Sequence, residues 1–264
     1  MPGEGIILGM GKLGGRELAA DSDLDIMIIY EGDETAASWF GRFATRLISA
    51  VSAPTEEGEL YTVDMQLRPS GKAGPVAVSL SRFDSYYPHE AWTWEMMALT
   101  RARIIAGDGS LARRVEVSFD RALKRSRDAR GVKDDALAMR RKLAEVKPPK
   151  SAWDLKARPG GLQDIEFIAQ TLQLIHAGKQ DVLRASTSEA LAALGAAGIL
   201  PAGEVKLLTE TLQLELGVLQ MIRCAHGSGF DPAQASTGFA TRLAELGGCR
   251  KIEALEAALD TRMA

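Results

Sequence analysis

Asp23 and Asp25 open an apolar, β-branched stretch, and Asp64 lies in a later alternating segment. In an extended strand side chains alternate faces, so Asp23 and Asp25 project the same way, while Leu24, Ile26, Ile28 and Tyr30 take the other face. In the segment Leu60–Leu67 the same rule puts Thr62, Asp64, Gln66 and Arg68 on one face and Tyr61, Val63, Met65 and Leu67 on the other. If the two strands are neighbours, three carboxylates meet. Such a cluster repels itself unless a cation compensates it. Hard oxygen ligands of this kind suit Mg²⁺, and Mn²⁺ equally. Two such ions held by Asp23, Asp25 and Asp64 would clamp the attacking and leaving oxygens of an in-line displacement at phosphorus.

The other half of such a site is a place for phosphates. The turn Gly9-Met10-Gly11-Lys12-Leu13-Gly14-Gly15 can present backbone N–H groups to phosphate oxygens at the start of a following helix. Lys12, Ser22 and Arg68 are placed in sequence to add donors to a triphosphate. No Gly-Lys-Ser/Thr closes the turn, so it is not a P-loop. An Asp-x-Asp pair alone is commonly a solvated strand end, and a glycine-rich loop alone is weak. Turn, Asp-x-Asp strand and a same-face Asp on a later strand are far harder to assemble by accident.

These residues need a scaffold, and the first third reads as α+β. Gly5–Gly9 and Leu24–Tyr30 are strands, residues 35–53 an amphipathic helix carrying Trp39, Phe40, Phe43, Leu47 and Val51 on one side, Leu60–Leu67 a third strand and Pro75–Leu80 a fourth. Residues 89–106 fit a helix, or a helix followed by a strand. From about 108 onward the chain reads as helical. Ile165, Ile168, Leu172 and Ile175 line one helix opened by Pro159-Gly160-Gly161, and Leu208, Leu212, Leu216 and Leu219 line another starting near Pro201. Lys147-Pro148-Pro149-Lys150 breaks the pattern, giving two expected domains: 1–147, a small mixed β-sheet core, and 148–264, a helical bundle.

The composition is that of a globular protein: 264 residues, 46% hydrophobic and 25% charged. A net charge of −3 argues against nucleic acid as a partner. No apolar run reaches the ~18 residues of a membrane span, and no signal peptide is recognisable. Cys224 and Cys249 are too few for a disulfide framework or zinc site, so a reduced cytoplasm is expected. The abrupt opening on a buried strand reads as a piece of a longer protein.

Gly-x-Gly-Lys-Leu-Gly-Gly-x-Glu-Leu followed by Ser-Asp-Leu-Asp resembles the signature of the glutamine-synthetase adenylyltransferases, in the DNA-polymerase-β-like nucleotidyltransferase superfamily. Val63-Asp64-Met65-Gln66-Leu67-Arg68-Pro69-Ser70-Gly71, Glu90-Ala91-Trp92-Thr93-Trp94-Glu95, Arg101-Ala102-Arg103, Asp154-Leu155-Lys156 and Asp164-Ile165-Glu166-Phe167 extend the resemblance. It implies a nucleotidyltransferase core acting with ATP and Mg²⁺ on glutamine synthetase. The family's full enzyme has two homologous halves: one transfers AMP to a tyrosine and releases pyrophosphate, the other removes it by phosphorolysis and releases ADP. The Glu90–Glu95 stretch looks more like the adenylylating, C-terminal half. By the same resemblance Asp23, Asp25 and Asp64 bind metal, and Gly14, Gly15 and Ser22 belong to the nucleotide pocket; Gly11 in the glycine-rich turn, Lys12 and Arg68 are expected to join them from their placement in the sequence. Alternatives are the deadenylylating half, or a non-catalytic module binding a nucleotide or the PII signal protein. Asp21 stands where relatives often carry a small or neutral residue.

Further residues carry weaker expectations. Asp164 and Glu166, two apart on a helix, cannot chelate one ion; Asp164 is expected to orient Lys156 or a loop. Trp92 and Trp94 read as packing residues rather than an adenine shelf. Cys224 and His226 read as ordinary helix residues, and His89 and His176 show no sign of catalysis. Residues 111–150 hold 13 Lys/Arg against 6 Asp/Glu, which fits a solvated helical face or a docking surface for an acidic partner.

Overall fold

A computed structural model describes residues 2–56, 58–59, 61–107, 109–227 and 229–263 of the chain. β1 (Gly3–Gly9) leads into a one-turn helix, α1 (Gly11–Gly14), and then β2 (Leu24–Gly32). α2 (Ala36–Val51) follows, then the two-residue strands β3 (Pro54–Thr55), β4 (Gly58–Glu59) and β5 (Val63–Asp64). β6 (Ala77–Ser79), α3 (Leu80–His89), α4 (Thr93–Leu99) and β7 (Arg103–Ala106) complete the sheet region, so 89–106 is helix followed by strand. The rest is helical: α5 (Gly109–Leu123), α6 (Ala129–Val146), α7 (Leu162–His176), α8 (Thr187–Ala196), α9 (Ala202–His226), α10 (Thr237–Leu246) and α11 (Ile252–Met263). The chain is thus α+β, as its pattern predicts. No helix among the described residues is long and apolar enough to cross a membrane.

The sheet is mixed, in the order β5-β2-β1-β7 with β6 also on β2. β1 is antiparallel to both β2 and β7, while β5 and β6 run parallel to β2. β2 is central because both its faces can be buried. Ile26 and Ile28 pack toward α2 with Phe40 and Ala44. Met27 and Ile29, on the same face as the aspartates, enter the larger core of α3 to α6. Only the first residues of that face are left for chemistry.

The expected eight-residue third strand shrinks to Val63–Asp64; its expected start, Leu60, lies outside the described residues. Two side chains end it. The Asp64 carboxylate accepts from its own chain at Gln66 N (2.7 Å), turning the backbone. The buried Arg68 guanidinium then donates to the carbonyls of Met65 (2.6 Å), Pro75 (2.9 Å) and Gly74 (3.1 Å), knitting the loop that follows.

The helices obey their periodicity with local shifts. In α2 the fully buried stripe is Ala36, Phe40 and Ala44, and Phe43 reaches the surface. In α7 it is Leu162, Ile165 and Ala169, while Ile168 is exposed. Packed on both sides, α7 sends Leu174 into the core of the sheet region and Leu162 into the core of α7 to α11. α6 ends at Val146, immediately before the Lys147–Lys150 break.

Candidate active site

Parallel pairing of β2 with β5 sets Asp25 directly opposite Asp64. Leu24 N donates to Thr62 O (2.9 Å) one step earlier, which aligns Asp23 with Thr62, and the Thr62 hydroxyl donates to the Asp23 carboxylate. Asp23, Asp25 and Asp64 line one cavity of about 340 Å³. The three-carboxylate face expected from alternation is therefore formed. Burial pushes the Asp25 carboxyl up, and Asp64 and Asp23 push further against the pull of Lys156, to about 6.

Lys12, Lys147, Lys156 and Arg223 line the same cavity. Burial lowers the Lys12 ammonium pKa, with Glu166 opposing and Lys156 and Arg101 adding to the fall. Among the described residues no three carboxylate, histidine or cysteine side chains already stand as a metal-ligand cluster. Thr62 holds Asp23, and Gln66 holds Asp64 through its backbone N and its Nε2 (3.0 Å).

The glycines of the turn are closely packed. Gly11 has φ +48°, and a Cβ there would come 2.3 Å from Asp25 Oδ2, so glycine lets the turn lie against the carboxylate. Gly14 and Gly15 are buried against Arg101; a Cβ on Gly14 would meet the Arg101 carbonyl at 2.0 Å. Neither lines the cavity. Ser22 does, and its hydroxyl accepts from Ala19 N (3.1 Å). Arg68, expected to hold phosphate, is committed to its three carbonyls, and it borders a neighbouring recess with Asp23 and Asp64.

Asp21 has left-handed backbone (φ +62°) and pairs with Arg223 of α9 at 3.1 Å. Beside it Ala20 N donates to Gln220 Oε1 (2.9 Å), so α9 closes over the loop that carries Ser22. Lys147 and Arg223 were not singled out as site residues by the sequence, because nothing in their spacing ties them to Asp25. Glu17 and Arg101 were legible only as letters of the family signature. Their ion pair (2.6 Å) is buried, and Glu17 also accepts from Thr187 N (2.6 Å) and Thr187 Oγ1 (3.0 Å) at the start of α8.

Asp164 and Glu166 separate as expected, and of the two expected roles for Asp164, orienting Lys156 or a loop, the contacts show the loop. Asp164 accepts from Arg140 Nε (2.5 Å) and Gly160 N (2.7 Å), while Glu166 pairs with Arg101 (3.2 Å). Trp92 is 71% exposed and packs into no core, whereas Trp94 is half-buried. Cys224 is exposed on α9, and His226 packs edge-on to Phe230 and Phe239. Within 111–150, Arg127 is spent on the carbonyls that end α5 and Arg140 on Asp164.

A small mixed sheet presenting three aspartates to a cavity of lysines is the equipment of a nucleotidyl-transfer core. Comparison with known proteins agrees. Residues 2–118 match the family described as glutamate-ammonia ligase adenylyltransferase, and residues 135–259 match one described as GlnD PII-uridylyltransferase. A bifunctional glutamine synthetase adenylyltransferase/adenylyl-removing enzyme of Caulobacter vibrioides is 43% identical over 97% of this chain. Proteins of the same description from Rhizobium meliloti and Bradyrhizobium sp. are 42% and 40% identical over 95% and 96% of it. The chain belongs to the glutamine-synthetase adenylyltransferase family, and it spans 27% of the length of these relatives.

Proposed function

We propose that this chain transfers AMP from ATP to a tyrosine of glutamine synthetase and releases pyrophosphate. The observation that carries this reading is the meeting of Asp23, Asp25 and Asp64 at one cavity that also holds Lys12, Lys147 and Lys156. In this reading residues 1–147 supply the carboxylates and 148–264 close the cavity from the other side. The donors fit Mg²⁺ or Mn²⁺: they are hard carboxylate oxygens, and a cation compensates both the burial and the carboxylate neighbours that raise the Asp25 pKa. When bound, two such ions polarise the transferred phosphate and lower the pKa of an attacking hydroxyl. Asp23, Asp25 and Asp64 would hold them once Asp23 and Asp64 let go of Thr62 and Gln66.

The remaining steps fall to the chain's own residues. Lys12, Lys147 and Lys156 neutralise triphosphate charge, and Ser22 positions a phosphate oxygen. The tyrosine oxygen bonds to the α-phosphorus as the bond to the bridging oxygen of pyrophosphate breaks. One of the three aspartates takes the hydroxyl proton. We place this chemistry in the cytoplasm, with glutamine synthetase as partner, PII protein as a candidate regulator, and neither nucleic acid nor membrane involved.

A second reading is favoured by the double name of the relatives, which includes adenylyl removal. The same site would then run phosphorolysis, with phosphate attacking adenylyl-tyrosine to give ADP. Radiolabelled ATP, glutamine synthetase and Mg²⁺ test the first reading. Label is expected on a tyrosine with the native chain and not with Asp23→Ala/Asp25→Ala. Phosphate-dependent ADP release from pre-adenylylated enzyme, without forward labelling, would replace it by the second.

A further inference from the structure

Asp23 and Asp64 serve two cavities. Both line the aspartate cavity, and both also line the neighbouring recess of about 370 Å³, whose further walls include Thr62, Gln66, Arg68 and Lys72. Asp25 and the lysines at 12, 147 and 156 line the first and not the second. The recess lies at the edge of the fold: β5 is the end strand of its sheet, and Thr62, Gln66 and Lys72 are exposed. It has little charge to offer a ligand, because the Arg68 guanidinium is committed to three carbonyls and Lys72 is the other cation there. From this side the Thr62 hydroxyl donates to the Asp23 carboxylate, and Gln66 donates to Asp64. An alcohol O–H therefore already meets one of the acids from the recess.

We propose that this recess is the door for the protein substrate: its tyrosine enters over β5, past Thr62, Gln66 and Lys72, and reaches Asp23 and Asp64 there, while the phosphate chain lies in the aspartate cavity. The inference rests on the nucleotidyl-transfer reading and holds for either direction of it. In-line displacement sets the attacking and leaving oxygens on opposite sides of phosphorus. A phosphorus held at Asp23 and Asp64 is met from both cavities, and the lysines that pyrophosphate needs stand in the first alone. The tyrosine oxygen thus attacks from the recess during transfer. During removal it departs into the recess, as an oxygen of inorganic phosphate bonds to phosphorus and ADP forms on the lysine side. Accessibility points the same way. A side chain fixed to a folded partner needs an open approach, which the exposed rim of the recess gives. The competing occupant is a phosphate group, for which one exposed lysine beside two carboxylates is a poor site.

Gln66→Trp and, independently, Lys72→Trp narrow the recess from exposed positions. Initial rates of label transfer from Mg·ATP give kcat/KM for glutamine synthetase, and calorimetric titration gives Mg·ATP affinity. Both variants are expected to lower kcat/KM for glutamine synthetase at least about tenfold, since displacing an attacking atom by ~1 Å is already costly. Mg·ATP affinity should not move, which also reports that each variant is folded. Gln66→Ala removes the same hydrogen bond to Asp64 without filling the recess, and should lose less than Gln66→Trp. An unchanged kcat/KM in both Trp variants would overturn the assignment. So would an equal loss of Mg·ATP affinity, which would give the recess to the nucleotide. In phosphorolysis the KM for adenylylated protein should rise; a rise confined to phosphate would also overturn it. A native chain inert in both directions would remove the nucleotidyl-transfer reading, and this door with it.

Discussion

Two carboxylate clusters lie close together in this molecule, and they are built on opposite principles. Asp23, Asp25 and Asp64 put like charges around one cavity, where burial first and the neighbouring carboxylates after it lift the Asp25 carboxyl to about 6. Glu17 and Glu166 instead flank Arg101, at 2.6 and 3.2 Å, so the signs alternate through the buried group. The first arrangement has no cation among its three acids; the second already has one, Arg101, between its two. Only the second can act as a bolt. Arg101 carries the glycine turn on its backbone and, through Glu17, fastens the turn to Thr187 of α8. The lesson is that a buried acid marks a binding site when its neighbours are acids, and a joint when they are bases.

Arg101→Met should separate the two clusters most sharply. Arg101 is 4% and Glu17 8% exposed at the side chain. Removing the cation leaves Glu17 and Glu166 uncompensated, so a loss of about 3–5 kcal/mol is expected in urea unfolding. Adding Glu17→Gln to that variant should recover part of it. A loss below about 1 kcal/mol would place the pair in the class of screened surface bridges and dissolve the contrast.

Asp25→Asn should have the opposite sign. The folded state holds the Asp25 proton more tightly than the unfolded chain, whose carboxyl titrates at 3.8. The protonated form is therefore favoured on folding, and stability falls as pH rises from about 4 through 6. Asp25→Asn should stabilise the chain at pH 7 by about 1–2 kcal/mol, after discounting for partial exposure. It should also abolish nucleotidyl transfer. Millimolar Mg²⁺ should stabilise the native chain and not the variant. A destabilised Asn variant in metal-free buffer would mean that the aspartate is a joint after all.

How much of this was open to a reader of residues depends on the distance over which partners are chosen. Asp23, Asp25 and Asp64 were legible because strand alternation is local and the β2–β5 pairing needed only one assumption. The length of β5 was not, since Thr62–Arg68 keeps alternating although Arg68 has turned to three carbonyls. Arg101 and Glu17, 84 residues apart, meet through the fold alone. Lys147 reaches the cavity from the end of α6 and Arg223 from α9, two elements whose own patterns carry no trace of the site. Trp92 departs from its pattern for the opposite reason: a large aromatic favours packing on general grounds, yet here it lies at the surface.

Glu215 supplies an unpaired control for both clusters. It is fully buried in α9, neither carboxylate oxygen has a hydrogen-bond partner among the described residues, and burial lifts it to about 8, with Arg158 opposing and Asp164 adding. Here too folding favours the protonated acid, whose unfolded value is 4.5, so stability falls as pH rises toward and through 8. Between pH 7 and pH 9 the loss should be about 1 kcal/mol in urea unfolding. Glu215→Gln should remove that slope without touching Mg²⁺ stabilisation. If the slope persists in the Gln variant, another group carries it.

The smallest effect is expected where the two halves of the cavity touch. Asp21 and Arg223 pair at 3.1 Å, but the Asp21 side chain is 65% exposed. An exposed pair contributes little to stability, so Asp21→Asn should change unfolding by less than about 0.5 kcal/mol. Its consequence should appear in binding instead. Arg223 lines the cavity, and with Asp21 neutralised its charge is free to face phosphate. Tripolyphosphate should then bind a few-fold tighter, with the gain shrinking as salt is raised. A gain insensitive to salt would point to rearrangement of the Ala19–Ser22 loop rather than to charge. Weaker binding would mean that Asp21 holds Arg223 in the orientation the ligand needs, making this exposed pair a joint of the same kind as Glu17 and Arg101.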